Sequence, residues 1–345
     1  MTTLKNHSLN LPEQDYHNYP AWSYSQIARY AKDGFSAIAH LDEHTSPTTS
    51  MEFGSLFDCI MTKGHTAEEE YFVSSSTVPD AERKAFDFIL TRTDMPFNEI
   101  PPTVLASLLD ECQYYPRWKF ETRLQHLTEN EAYYQNKRLG KKTVSETDWN
   151  DAMQMADAIH LDEYLKNIFG TRNSLDVEYL YQLQFAANMT LDDGRTVHVK
   201  IMPDLLVVNH KDMTIQPVDL KTSSCPAYEF ADNFTKFRYD IQASLYTDVL
   251  QTIMLDSEYA AYTLLPYLFT DISRTDKVPV TYQYDPREAS QENGLCFFSK
   301  DKTYQYKGWR QLLGEILDYK EANAVVPSNI TTTGPNDIVS ILSNK

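Results

Sequence analysis

Glycine is scarce in this chain, 10 of 345 residues. Neither G-x-G-x-x-G nor G-x-x-x-x-G-K-[ST] occurs, which removes the dinucleotide and P-loop fingerprints from consideration. There is no run of about 18 apolar residues, so the sequence offers no membrane-spanning helix. The opening MTTLKNHSLNLPEQDYHNYP also lacks the apolar centre of a signal peptide. Four cysteines, Cys59, Cys112, Cys225 and Cys296, stand singly with no C-x-x-C pair. That spacing supports neither a zinc ribbon nor a thioredoxin-like motif, and free thiols in a reducing cytoplasm are expected. Positive charge is in deficit: 31 Lys and Arg face 49 Asp and Glu, a net charge of −18. A protein that coats nucleic acid usually presents a basic surface. An acidic enzyme that admits DNA to a narrow channel lined by local basic residues and metal remains compatible with this charge.

Aromatic residues are abundant, with 23 Tyr and 16 Phe, and 42% of the chain is hydrophobic. The length suits one large domain or two ordinary ones with a sizeable core. Residues 1–20, with Pro12 and Pro20, read as a flexible leader. SYSQIARYAKDGFSAIAHL predicts a helix opening at Ser23 or Ser25. MEFGSLFDCIMTKG predicts a second, with Asp58 beside Phe57. Between 66 and 145 the chain is charged and irregular, with helical pieces expected near 80–92, 103–113 and 118–126; residues 73–142 read as a helical insertion. Within it, YYPRWKFETRLQ could stack bases on its rings and neutralise phosphate, or pack those rings inward as an amphipathic helix. NKRLGKK (136–142) reads as an exposed basic hairpin turn. SETDWNDAMQMADAIHLDEYLKNIF is the clearest helix, with Ser145 as N-cap and Asp148 at the capping-box position. Strands follow around 175–188 and 197–204, with a turn at Asp193-Gly194. YAAYTLLPYLF and VPVTYQYD are expected as a buried and an edge strand, and 308–322 as a last helix. The tail, 323–345, is expected to be mobile. No repeat or linker divides 21–322, which reads as a single domain.

The chemistry concentrates between Lys200 and Tyr246. Asp204 sits among apolar strand residues, a polar turn follows at 209–212, and the next strand ends in Asp219-Leu220-Lys221. Side chains at i and i+2 of a strand share a face, so Asp219 and Lys221 point together. A hairpin closing at 209–212 brings Asp204 beside Asp219. Two adjacent carboxylates repel unless a cation separates them, and hard oxygen ligands suit Mg²⁺ or Mn²⁺. Gln242 and Tyr246, at i and i+4 of the following helix, reach the same place. The competing reading is an exposed strand-end ion pair with Gln242 on the surface.

This order of residues resembles the PD-(D/E)xK nuclease superfamily, with Pro203-Asp204 and Asp219-Leu220-Lys221 standing for its signature. Within the superfamily it is similar to the RecE-type exonuclease VIII group of phages and prophages, through KIMPD, VDLKTS and FRYDIQASLY, over roughly residues 22–72 and 143–250. Glu178 falls where that group carries a strand glutamate. Asp58 stands where the group's F-G-(S/T)-x-x-H helix has a histidine facing the metal; Asp is an acceptable hard ligand there, or the site is altered. The resemblance implies an α/β fold with a restriction-endonuclease-like core: a central mixed sheet flanked by helices, with an N-terminal helical lobe. It further implies Mg²⁺ or Mn²⁺ held by Asp204, Asp219, the Leu220 carbonyl and Asp58. No iron–sulfur cluster is expected, because the cysteines lack its spacing.

In this reading Lys221 positions water and stabilises charge, with a pKa that such sites can lower. Gln242 orients water or a phosphate oxygen, Tyr246 packs and hydrogen-bonds, and Glu178 is a further acid. Lys200, Lys236 and Arg238 are candidate phosphate contacts; for Lys200 and Arg238 a solvated surface role is the equal alternative. The implied function is a metal-dependent DNA exonuclease on double-stranded ends in phage recombination or replication. A homo-oligomer, a single-strand annealing partner and no membrane association are expected. The alternatives are an endonuclease on the same fold, or a non-catalytic acidic protein that mimics DNA.

Overall fold

The computed structural model describes residues 3–43, 47–74, 78–170, 172–288, 291, 294–299 and 302–325; the tail beyond 325 lies outside them. The leader is packed rather than loose. Leu4 is fully buried in the main core, and Glu13–Asn18 form helix α1. Helix α2 (Tyr24–Asp33) opens with a capping box in which Gln26 reaches back to the Ser23 N–H. It stops at Gly34, whose φ of 61° is left-handed, so the expected continuation to Leu41 is made of 3₁₀ turns instead. Helix α3 (Thr49–Lys63) is capped by Thr48 and buries Phe53, Leu56, Phe57, Ile60 and Met61.

Strand β1 (Tyr71–Ser74) then leads into helices α4 (Asp80–Leu90), α5 (Pro102–Glu111), α6 (Phe120–Glu129) and α7 (Glu131–Arg138). These have their own apolar cluster, built on Phe86, Ile89, Leu105, Leu109, Leu127 and Tyr134. The expected basic hairpin at 136–142 is instead the end of α7, a turn at Gly140 with φ 79°, and the start of strand β2 (Lys142–Ser145). Strand β2 runs parallel to β1, from Tyr71↔Lys142 to Ser74↔Ser145. Helix α8 (Glu146–Leu161) begins with the Asp148 N–H donating to Ser145 Oγ at 3.0 Å.

The strands are β3 (Val177–Tyr181), β4 (Phe185–Thr190), β5 (Thr196–Ile201), β6 (Leu205–Asn209) and β7 (Thr214–Ser223). Helices α9 (Phe230–Phe237) and α10 (Tyr239–Leu255) come next. They are followed by β8 (Thr263–Leu264), β9 (Tyr267–Ser273), β10 (Pro279–Tyr284), β11 (Cys296–Ser299), β12 (Lys302–Gln305) and helix α11 (Trp309–Val325). The main sheet has the order β10-β9-β7-β6-β3, with β8 also on β7. Strand β7 is antiparallel to β6 and parallel to β9, so the sheet is mixed. Pro279 opens the edge strand β10, the place where a missing ladder N–H is tolerated.

Alternation along β7 and its neighbours sorts side chains between two layers. Leu205, Val218, Leu220, Leu268 and Ile272 pack with α3 and α8. Leu206, Val208, Ile215, Tyr267 and Phe269 pack with α10, whose Ile241, Leu245, Val249 and Leu250 are fully buried. A sheet with helices on both faces is the restriction-endonuclease-like α/β architecture.

Candidate active site

The site forms where β6 and β7 part. Their ladder runs from Asn209↔Thr214 to Leu205↔Val218 and stops there. Strand β6 cannot begin earlier, because Pro203 has no N–H and holds the residue before it extended. Asp204 therefore lies at the bend just before β6, not within a strand continuous from Lys200; β5 ends at Ile201 and pairs with β4 elsewhere. Strand β7 continues to Ser223, paired with β9 on one edge and without β6 on the other. Asp204 Oδ2 accepts the Leu220 N–H at 2.7 Å, so a carboxylate replaces the missing strand. In an extended chain the N–H and C=O of one residue point the same way, so the Leu220 carbonyl faces the same gap.

Asp219, one step along, is 1% exposed. Its Oδ1 accepts from Gln242 Nε2, and the same amide's Oε1 accepts from Lys221 Nζ at 3.2 Å. The Lys221 ammonium stands 2.6 Å from Asp219 Oδ2. That contact is ionic and lacks hydrogen-bond geometry, so Asp219 Oδ2 is held by charge alone. Lys221 also lies 4.5 Å from the centre of the Tyr239 ring. Gln242 and Tyr246 come from α10, and both are buried. Helix α3 crosses β7 from the other layer. A Cβ added at Gly54 would meet Thr222 Oγ1 at 3.7 Å, an ordinary contact, and Asp58 follows one turn later.

The electrostatics join these groups. Burial, then the Asp219 carboxylate, pushes Asp58 up to about 7, against the pull of Lys221. Asp204 is raised well above the usual carboxylate range by burial, then by Asp219 and Asp58. Burial alone would lower Lys221, but Asp219, Tyr239 and Asp204 outweigh it and hold the amine well above its ordinary value. Such sites can lower a lysine pKa; here the neighbours hold it up, and Lys221 stays an ammonium. The donors offered to a ligand are all hard oxygens, which fits a divalent cation. Among the described residues no three Asp, Glu, His or Cys side chains are gathered closely enough to hold an ion alone. A cation here would therefore use one or two carboxylates, the Leu220 carbonyl and water, the usual style of Mg²⁺.

Other expected residues are not brought here. Glu178 lies opposite Val208, three register steps from the Tyr181↔Leu205 pair, or about 10 Å along the strand. It meets His210 Nε2 at 3.5 Å, Lys5 Nζ at 3.4 Å and the Tyr259 hydroxyl at 3.5 Å, so it is not an acid of this site. Lys200, 5% exposed, donates to the carbonyls of Tyr16, His17 and Tyr19 at 2.7, 2.8 and 3.0 Å. All three of its protons are engaged, so it is neither a phosphate contact nor a solvated residue. Arg238 is also buried, forked onto Asp240 at 2.9 and 3.0 Å and donating to the Lys307 carbonyl. Lys236 is exposed, its ammonium 5.1 Å from the Phe237 ring centre.

In the helical insertion Tyr114 is buried, while Tyr115 and Trp118 are exposed and stacked 4.2 Å apart. The basic–aromatic run therefore divides between the two readings of it. Two neighbours of the site had not been expected. The Tyr24 hydroxyl donates to the Phe237 carbonyl at 2.8 Å, and its ring feels Lys221 and Asp219. Asp271 pairs in register with Lys221, and burial pushes its carboxyl up to about 6. A lone acid in the apolar run YLFTDIS was a visible signal for Asp271; local sequence offers none for Tyr24.

Residues 23–270 match the family described as "PDDEXK-like domain of unknown function (DUF3799)", and the chain belongs to that family. Among solved structures, the crystal structure of a presumed exonuclease from Eubacterium rectale is similar at 13% identity and a TM-score of 0.43, covering 96% of this chain and 97% of that one. A likeness of that degree carries no argument about activity. No curated protein matches.

Proposed function

We propose, on the premise of membership in a PDDEXK-like family, that this chain is a metal-dependent deoxyribonuclease acting as an exonuclease on double-stranded ends. One observation carries the reading: Asp204, Asp219, Lys221 and Gln242 converge where β6 and β7 part, around the buried Asp219 carboxylate. Asp204, Asp219 and the Leu220 carbonyl, with Asp58 alongside, would hold the cation, Mg²⁺ or Mn²⁺. When bound, the ion supplies charge neutralisation at the phosphate and a more acidic water.

The chain's own residues supply the rest. Lys221, kept protonated by its neighbours, places a fixed positive charge where negative charge grows at phosphorus; it is a charge, not a base. Gln242 locks Asp219 and Lys221 at a set spacing through its two amide atoms. Tyr246, one turn on, packs behind them. Glu178 has no part in this mechanism, and Lys236 is the one remaining phosphate contact of the three basic residues considered.

The family resemblance supports a setting in phage-type recombination or replication in a bacterial cytoplasm, a homo-oligomer and a single-strand annealing partner. It also supports one nuclease domain over 21–322 with 73–142 inserted. Incubating the protein with linear and closed-circular DNA in Mg²⁺ or Mn²⁺ tests the activity. Loss of linear DNA alone is expected. Cutting of the circle would make it an endonuclease, and no digestion of either would favour an acidic DNA-mimic.

A further inference from the structure

An open cavity of about 610 Å³ lies beside the carboxylate site, within the range of small-ligand pockets. Its near wall is Tyr246, one helical turn (about 5.4 Å) beyond Gln242, and Met202, two residues before Asp204. Tyr24 is shared by both places: it lines the cavity and its ring lies in the field of Lys221. The other walls carry Tyr19, Trp22 and His198.

All four rings, Tyr19, Trp22, Tyr24 and His198, are half-buried. The polar handles of three of them are already used. The Tyr24 hydroxyl is on the Phe237 carbonyl. The Tyr19 hydroxyl meets His198 Nε2 at 3.2 Å, and His198 Nδ1 meets Asn188 Oδ1 at 2.9 Å. What remains of them for a ligand is ring surface, the Trp22 ring having Lys320 Nζ over it at 4.8 Å. Trp22 is fixed by its backbone, which donates to the His198 carbonyl at 2.9 Å and accepts from the Lys200 N–H at 2.8 Å.

The Lys200 ammonium lines the same cavity, paired among the described residues with carbonyls and with no carboxylate within salt-bridge reach. Arg29, Asp42 and Glu43 line it too, with Asp42 paired to Lys320 at 3.4 Å and Glu43 to His40 at 2.8 Å. Flat π surface with cations in the same wall suits a flat group on an anionic chain.

We propose that this cavity receives an unpaired nucleobase of the strand being cut, stacked between Trp22 and Tyr19, while the neighbouring phosphate lies at Asp204, Asp219 and Lys221. The inference rests on the nuclease reading above. It adds that the substrate strand is single-stranded for at least one nucleotide at the site. Stacking on aromatic rings tolerates every base, so the pocket confers a requirement for an unpaired base and no sequence preference.

The test is binding, read apart from cleavage. The full chain is titrated, with Ca²⁺ in place of Mg²⁺, with a labelled single-stranded oligodeoxynucleotide and with versions carrying one abasic unit walked along it. The wild-type protein is expected to bind about 10-fold more weakly when the abasic unit reaches one particular position. Trp22→Ala and, separately, Tyr19→Ala should bind the intact strand at the abasic level, and Trp22→Phe should restore the preference. Equal binding of intact and abasic strands at every position by the wild-type protein would overturn the pocket. So would alanine variants that keep the full preference. Cleavage of linear DNA is scored on the same preparations: cutting without base discrimination refutes the pocket alone, whereas discrimination without cutting refutes the nuclease reading and leaves a nucleic-acid pocket.

Discussion

Lys221 and Lys200 have similar surroundings with different outcomes. Each amine is drawn out of solvent, and each lies over a tyrosine ring, 4.5 Å from the centre of Tyr239 and 5.1 Å from that of Tyr16. Around Lys221 the acceptors include the Asp219 carboxylate, and the amine is held well above its ordinary pKa despite burial. Around Lys200 the acceptors are neutral carbonyls, and burial lowers the amine. Burial disfavours the charge in both; only an opposite charge reverses the outcome. One lysine belongs to a charge-balanced cluster that can respond to a ligand. The other fastens the 16–19 segment to β5 and shapes the wall of the cavity beside it.

The largest break in that comparison is expected from Lys221→Ala. It should lower cleavage of linear DNA by at least about 100-fold, measured as initial rate at saturating Mg²⁺, with the circular dichroism spectrum unchanged. A comparable loss in Lys200→Met would erase the distinction. Next in size is the response to metal. At 100 times its dissociation constant an ion bound only to the folded state adds about 2.7 kcal/mol. Mg²⁺ or Mn²⁺ should therefore raise the melting temperature of the wild type and of Lys200→Met, and leave that of Asp204→Asn or Asp219→Asn nearly unmoved. Third, Lys200→Met leaves buried carbonyls without a donor, a loss of about 1–3 kcal/mol seen in urea denaturation, while cleavage per folded molecule at saturating DNA persists. The smallest effect belongs to Glu178→Gln. Its ionic partners at the far end of β6 are partly exposed, so the change should cost no more than about 1 kcal/mol and leave the cleavage rate intact; a lost rate would return Glu178 to the site.

These contrasts mark what sequence could and could not disclose. Strand periodicity and a short turn are local, so the side-by-side placement of Asp204 and Asp219, and the reach of Gln242 from the next helix, were legible. The same logic says which face a side chain takes but not how far along a strand it lies. The family pattern assigns Glu178 to the site with no local measure of its distance, and it is three pairs away. Lys200 and Arg238 looked like surface cations because their partners, the carbonyls at 16–19 and Lys307, are remote in sequence. Leu4 shows the same limit in reverse: prolines and polar residues around it suggested a leader, yet the main core takes its side chain. Asp58 was found through a family pattern, and its place beside Asp219 depends on α3 crossing β7. No local spacing encodes that crossing.

The parallel pair β1 and β2 sets how the helical insertion is carried. The chain departs at Ser74 and re-enters at Lys142, which sits opposite Tyr71; the exit and entry points are thus only about 10 Å apart. Because the helices beyond have an apolar cluster of their own, this segment is a cassette on a two-stranded handle. The main sheet, β10-β9-β7-β6-β3, takes no strand from that handle.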